Sequence, residues 1–255
     1  MTDTTRHALV TGGGRGIGAA VVERLVRDGL RVTFVGRSPE ALDGTTASVA
    51  ALGGDGAGYR CDVGDEADVR RVFGQIVAER GRVDVLVANA GVATSAPLSK
   101  LTLAEFESQM TVNATGVFLC AREVVPAMVA AGWGRVVTIG SVASVQGMKY
   151  ATAYVASKHA ALGITRALAV ELAGTGVTAN LVAPAYVRTD MMTRSIERVM
   201  ETTGRDRAAA EAGILASVGQ HRLIEPDEVA AAVSWLVSDA AGSVNGEAVV
   251  LAARR

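Results

Sequence analysis

His7-Ala8-Leu9-Val10-Thr11-Gly12-Gly13-Gly14-Arg15-Gly16-Ile17-Gly18 is the stretch that decides how the chain is read. His7 to Thr11 is a short apolar run that stops at glycines, as a buried strand does. Ala19 to Gly29 then has helical spacing and a glycine stop. Strand, glycine turn and helix N-terminus in succession make an anion site, because backbone N–H groups and the helix dipole point at a phosphate. Glycine lets a ligand approach the backbone closely. Ile17 stands where the last glycine of G-x-G-x-x-G would fall, counted from Gly12. No Lys-Ser/Thr follows Gly18, so the turn is not a P-loop. The plain alternative is a tight turn with no ligand.

Arg31 to Val35 reads as a second strand and completes a βαβ unit. In a dinucleotide site an acid near the end of this strand holds the adenosine ribose, whereas an Arg accommodates a 2′-phosphate. Here the strand ends Gly36-Arg37-Ser38 without a carboxylate, and Arg15 is a second cation in the glycine turn. Two arginines and no acid favour NADP over NAD. The alternative for Arg37 is a solvated turn residue.

Further on, Pro39 to Leu52 is an amphipathic helix and Gly58 to Cys61 a third strand. Asp62 and Val63 follow it, where Asp62 either receives an adenine amino group or caps the turn. Asp65 to Arg80 is a helix with Asp65 as N-cap. Arg82 to Ala88 is a fourth strand, leading into Asn89-Ala90-Gly91. Thr102 to Ala131 has a long helical pattern with Pro126 inside it, so a kink or break is expected there. Asn113 lies mid-helix among apolar residues. Such a buried amide must find partners, either mending a distorted backbone or holding a water near a reaction centre. Gly134 to Ser141 is a fifth strand, Ala151 to Ala173 a helix and Gly176 to Val182 a sixth strand. Pro226 to Leu236 is a helix and Val244 to Leu251 a last strand. Asp190 to Gly219 is polar, with Met191, Met192, Ile196 and Met200 on loose helical spacing, and reads as a mobile insertion over the site. A surface helix pair is the alternative. The β–α alternation without a linker makes residues 1–255 a single doubly wound α/β domain with a parallel sheet.

Composition narrows function. Net charge is −1, which gives no electrostatic case for nucleic acid. Cys61 and Cys120 form no disulfide framework, so a reducing cytoplasm is expected. His7, His159 and His221 stand in no ligand spacing, so no metal is expected. Met1 to His7 is polar and lacks the apolar core of a signal peptide. No run of about 18 uncharged apolar residues suggests a membrane span.

The chemistry concentrates in Ser141, Tyr154 and Lys158. Tyr154 and Lys158 are four apart and share a helix face. A phenol has an ordinary pKa of about 10, and a cation beside it favours the phenolate. Ser141, at a strand's C-terminal end where α/β sheets bind ligands, can hold a substrate oxygen. Those parts move a proton to or from an alcohol or carbonyl oxygen. The chain has 22 Arg and only three Lys. A compact ammonium at this position therefore stands out, although a helix-surface pair is the bland reading.

From Thr11 to about Leu251 these residues resemble the short-chain dehydrogenase/reductase family. Thr11-Gly12-x-x-x-Gly16-x-Gly18 is similar to its cofactor turn, and Asn89-Ala90-Gly91 to its strand-four motif, with Ala88 where an Asn is common. Asn113, Ser141, Tyr154 and Lys158 fall where its catalytic tetrad lies. Pro184 to Thr189, including Val187, matches the segment on the nicotinamide side, with Ala185 in place of the usual Gly. The end Leu251-Ala252-Ala253-Arg254-Arg255 lacks the glycines often seen there, which bears on the subunit interface.

The resemblance implies a Rossmann fold, hydride transfer with NADP, and a homotetramer packed through residues 102–131, 151–173 and the last strand. It implies that Tyr154 exchanges the proton, that Ser141 polarises the substrate oxygen, and that Lys158 lowers the Tyr154 pKa and bonds the nicotinamide ribose. Asn113 would hold a water linking Lys158 to solvent. The pattern around Thr203-Gly204-Arg205 and Gly219 to Glu228 is similar to 3-oxoacyl-thioester and polyketide ketoreductases. Gln146 to Tyr150 and the insertion should line an apolar pocket. The competing readings are an NAD-linked secondary-alcohol dehydrogenase and a dinucleotide-binding scaffold without turnover.

Overall fold

The computed structural model describes residues 5–253. Met1 to Thr4, part of the polar leader reading, and Arg254 and Arg255, part of the terminal reading, lie outside them. Seven parallel strands form one sheet in the order β3-β2-β1-β4-β5-β6-β7. They are β1 (His7–Thr11), β2 (Arg31–Gly36), β3 (Gly56–Arg60), β4 (Val85–Ala88), β5 (Gly134–Ile139), β6 (Val177–Pro184) and β7 (Ala248–Leu251). The helices are α1 (Gly16–Arg27), α2 (Pro39–Ala51), α3 (Glu66–Arg80), α4 (Leu103–Met110), α5 (Gly116–Ala130), α6 (Thr152–Glu171), α7 (Asp190–Thr203), α8 (Arg207–Ala216) and α9 (Pro226–Val237). This is the doubly wound Rossmann architecture expected from the alternation of strands and helices.

Every residue of β1, β4, β5 and β6 is buried. Parallel strands covered on both faces need such continuous apolar runs. Alternate side chains part to two cores. Ala8, Val10, Val32 and Phe34 meet α1 and α9 residues such as Val22, Leu25, Val233 and Leu236. Leu9, Val35, Leu86 and Val136 meet Phe73, Ile76, Leu119 and Val124 from α3 and α5. Strand order reverses between β1 and β4, and there the strand carboxyl ends open a crevice for ligand.

The helix expected over 102–131 is interrupted, but not at Pro126. A π turn, Thr111–Thr115, separates α4 from α5, and α5 runs through Pro126. Pro126 is exposed, so water can take the carbonyl that its missing N–H leaves without a helical donor. Together Leu103–Ala130 has the length and apolar content of a membrane span, but half of that apolar stretch is buried inside the fold. The polar stretch after β6 forms α7 and α8, which share a small core of Met192, Ile196, Ala210 and Leu215. The neck of this excursion is closed. The Gln220 amide donates to the Tyr186 carbonyl at 2.8 Å and accepts from the Tyr186 N–H at 2.9 Å, and Val187 pairs with Ile224.

His7 carries a stability prediction. It is fully buried, its Nδ1 faces the Gly81 and Arg82 carbonyls at 3.3 and 3.2 Å, and its Nε2 lies 2.7 Å from Thr33 Oγ1. Burial, then the Arg31 charge, lowers its pKa below 6.5. The unfolded chain therefore takes up a proton that the folded chain refuses. Stability is full above about 6.5 and is lost as pH falls from there through the folded value. Thermal melts of His7→Asn should show a shallower decline between pH 7 and 5 than the parent; parallel slopes would contradict it.

Candidate active site

The glycine turn packs against the loop after β4. Gly12 has φ +65° and Gly16 φ +56°, a region L side chains rarely adopt. A Cβ on Gly12 would lie 2.9 Å from Ala90 Cα and 2.9 Å from Asn89 Nδ2; on Gly14 it would meet Ala41. Helix α1 starts at Gly16, so Arg15 is its N-cap residue. Arg15 makes no side-chain capping bond, and the first turn, with Ile17 and Gly18, holds no acid. Unpaired N–H groups and a positive dipole end without a carboxylate are what a phosphate requires. This cradle fits the pyrophosphate of a dinucleotide.

The other expected cofactor residues gather along the same carboxyl ends of the strands. Asn89 does not present its amide to the crevice: Nδ2 donates to the Thr11 and Gly12 carbonyls at 2.9 and 3.1 Å. Buried Thr11 accepts from the Asn89 and Ala90 N–H groups at 3.0 Å each. Asn89 thus fastens the glycine turn. Val63 turns its side chain into the core against Gly116. Ser38 caps α2 through Ala41 N. Asp62 caps the turn, the second of its two expectations, accepting from Gly64 N at 2.9 Å, and it also faces Arg37 at 3.7 Å. Arg15 and Arg37 are both exposed. Pro184 pairs with Leu251, Ala185 donates to the Leu251 carbonyl at 2.8 Å, and Val187 is buried. Thr189 caps α7, and its methyl lies 3.2 Å from the Cβ position of Gly16. The β6 segment therefore borders the glycine turn.

Ser141, Tyr154, Lys158 and Asn113 converge opposite this turn. Ser141 follows β5; its hydroxyl accepts from Ala143 N at 3.1 Å and lies close enough to the Tyr154 phenol to lower its pKa. Lys158, only 5% exposed, reaches past the Tyr154 ring, 5.9 Å from its centroid, and donates to the Ile139 carbonyl at 2.8 Å. Its amine thereby ties α6 to the end of β5. A Cβ on Gly91 would lie 3.2 Å from Asn113 Oδ1 and 3.6 Å from Lys158 Nζ, so that loop also runs beside the cluster.

The electrostatics depart from the expectation drawn from spacing. Burial raises the Tyr154 pKa, against the lowering effect of the Ser141 side chain, and the nearby Tyr186 phenol raises it further. Burial lowers Lys158 to about 8. Four-residue spacing puts the pair on one face, but Lys158 Nζ is committed to a backbone carbonyl and lies over the ring face rather than at the hydroxyl. A poorly hydrated site penalises phenolate and ammonium alike, and for Tyr154 burial is the largest influence.

Asn113 meets the first of its two expectations: it lies in the distorted backbone of the π turn, with its amide bonded to the fold. Its Oδ1 accepts from Val92 N at 2.8 Å, and its Nδ2 donates to the Val92 carbonyl and to Ser157 Oγ at 2.9 Å each. Both amide donors are spent on protein, so a water at Asn113 would have to donate to one of its oxygens. His159 is exposed and bonds only the Val155 carbonyl. Among the described residues no cluster of His, Cys, Asp and Glu could hold a metal.

The family model described as "short chain dehydrogenase" matches residues 6–199. The chain belongs to the short-chain dehydrogenase/reductase family. It is similar to D-threitol dehydrogenase of Mycolicibacterium smegmatis, at 37% identity over 96% of this chain and 90% of the relative. It is likewise similar to the 3-oxoacyl-acyl-carrier-protein reductase MabA of Mycobacterium tuberculosis, at 36% over 96% and 90%. The crystal structure of an actinorhodin polyketide ketoreductase with NADPH matches with a TM-score of 0.94 and 35% identity, covering 99% of this chain and 97% of that one. This short-chain dehydrogenase/reductase is accordingly an NAD(P)-dependent oxidoreductase acting on CH–OH groups. Sequence reasoning passed over two of its residues near the cluster. Ser157 gave no signal beyond its place in Tyr154-x-x-Ser157-Lys158. Tyr186 was quoted only as part of the Pro184 to Thr189 run, yet its partly buried phenol lies close enough to Tyr154 to perturb it.

Proposed function

We propose that this enzyme reduces a ketone with NADPH, and that a 3-oxoacyl thioester or polyketide-like ketone is its substrate. The observation that carries the reading is the Tyr154 phenol beside Ser141, on the turn of α6 whose Lys158 is anchored 5.9 Å from its ring. Bound along the strand ends, the nicotinamide supplies or takes the hydride. Gly12, Gly14, Gly16, Ile17 and Gly18 hold its pyrophosphate by backbone, while Arg15 and Arg37 take a 2′-phosphate. Ser38, Asp62, Val63, Asn89, Ala90 and Gly91 line the adenosine and ribose path. Pro184, Ala185, Val187 and Thr189 border the nicotinamide.

Ser141 donates to the substrate oxygen and orients it. Tyr154 delivers its proton to that oxygen in reduction and removes it in oxidation. A phenol kept neutral by burial is suited to the acid role. Lys158, with a pKa of about 8, is protonated at neutral pH and favours charge developing on Tyr154. Asn113 fixes the loop at Val92 and the first turn of α6. Residues 190–219 cover the substrate within a single domain spanning 1–255. Met191, 37% exposed, and Met148 offer an apolar lining for an acyl chain.

A homotetramer agrees with the exposed apolar residues Leu103 and Phe118 on α4 and α5, Val170 on α6 and Val250 on β7. The partner-free thiols of Cys61 and Cys120, both buried, suit a cytoplasmic enzyme. The D-threitol dehydrogenase relative keeps a second reading open, an NAD-linked secondary-alcohol dehydrogenase. Initial rates with NADPH and NADH on 3-oxoacyl thioesters, simple ketones and polyols separate the two. Arg37→Asp should weaken NADP binding by roughly tenfold or more, since it removes a charged phosphate contact, and should improve NAD binding. Unchanged discrimination would remove Arg37 from the proposal.

A further inference from the structure

Ser157 is fully buried beside the proton-transfer cluster. Its hydroxyl oxygen accepts from Asn113 Nδ2 at 2.9 Å, and its hydroxyl proton goes to the Tyr154 carbonyl at 2.8 Å. The direction of this relay is fixed from the far end. Val92 presents its N–H to Asn113 Oδ1 and its carbonyl to Asn113 Nδ2, so the amide cannot be turned over without breaking both bonds. With Asn113 donating, the only proton Ser157 can give is its own, and the Tyr154 carbonyl receives it. The first turn of α6 begins at Thr152 with no side-chain cap on its N-terminus. Ser157 ties this turn by side chain, from its hydroxyl to the Tyr154 carbonyl one turn earlier.

We propose that Ser157 is a positioning residue for proton transfer. It locks the helical turn carrying Tyr154 and Lys158 to the π turn and to the loop after β4, and so holds the phenol against Ser141. The inference rests on the reading that Tyr154 is the proton donor. Lys158 is held separately, by the Ile139 carbonyl, so loss of Ser157 loosens the phenol more than the ammonium. The contact at risk is that of the Ser141 side chain with the phenol, which lowers the Tyr154 pKa. Without it the phenol becomes harder to ionise.

The test compares Ser157→Ala with the parent as full-length enzyme, by initial rates in both directions across pH 6 to 10, with cofactor affinity measured by fluorescence. The expected result is a fall in kcat of about tenfold, the scale on which small misplacements of a reacting group act. KM and cofactor Kd should stay within about twofold. The rising limb of the oxidation profile, which reports ionisation of the base, should move to higher pH. In an Asn113→Ala background, Ser157→Ala should add less than about twofold, because residues in one hydrogen-bond chain are not additive. A folded Ser157→Ala enzyme with parental kcat and an unmoved pH profile would overturn the proposal, as would multiplying effects in the double variant. Should the alanine variant not fold, Ser157→Cys, slightly larger and a weaker hydrogen-bonding group, takes the same measurements. Tyr154→Phe measured alongside separates the two failures. If it too is fully active, the reading of Tyr154 falls. If it is inactive while Ser157→Ala is unaffected, only the role of Ser157 falls.

Discussion

Tyr154→Phe should lower kcat by about a thousandfold while leaving cofactor affinity unchanged, a loss on the scale that general acid–base groups contribute. The change removes one oxygen. Its ring remains, packed beside Lys158 Nζ, so the fold and the glycine cradle are not disturbed. The hydroxyl, by contrast, is the group that Ser141 faces, and no other acid in the cluster can replace it. Lys158 is fastened to the Ile139 carbonyl, and His159 points to the exposed side of α6. Tyr186 is a nearby phenol, and burial raises its own pKa, so it is a weak acid in this place. Turnover close to parental, measured with saturating cofactor, would end the proton-donor assignment. A thousandfold loss accompanied by lost cofactor binding would instead indicate structural damage.

The second large effect is expected from Gly18→Ala. Gly18 is not among the glycines with positive φ, so alanine would meet no conformational penalty there. The obstacle is contact. A Cβ would lie 2.1 Å from the Gly12 carbonyl oxygen, 2.8 Å from its carbon and 2.6 Å from Asn89 Nδ2. The first two are backbone, and the third is bound to the Thr11 and Gly12 carbonyls, so nothing flexible can yield. Overpacking of this kind costs about 3 kcal/mol. For a domain of this size that lowers Tm by roughly 6–12 °C. Because α1 must move away from the turn, NADP affinity should fall as well. An unshifted melting curve with intact cofactor binding would show that the turn is looser than its contacts imply.

The strands that hold the sheet together could be read from the sequence because they are buried on both faces and carry unbroken apolar runs. The edge strand β3 could be read only in part. Gly56-Ala57-Gly58-Tyr59-Arg60 is half-buried and has no apolar run, so its start was placed two residues late. The interruption of the long helix was expected at Pro126 because proline has a local signature. The π turn has only the buried amide of Asn113 as a signal, and the partners that fix it there, Val92 and Ser157, are 21 and 44 residues away in sequence. The helical spacing that puts Tyr154 and Lys158 on one face was likewise legible. The electrostatic consequence was not, because burial depends on the whole fold and here opposes the pairwise effect. Asn89 and Val63 carry the same lesson. A motif marks where a residue sits, but not whether its side chain faces the ligand or the scaffold.

The closed neck at Tyr186, Val187, Gln220 and Ile224 makes the α7–α8 excursion an exchangeable cassette. Its ends are already brought together by the framework, so changes in its length alter loop entropy only slowly, by about 0.6 kcal/mol per doubling. Its apolar interior is its own, and few of its side chains are needed to complete the sheet beneath. Divergence in such a fold can therefore exchange what the enzyme grips while the hydride chemistry stays fixed. Grafts joined at Val187 and Ile224 are the natural seams for redesign.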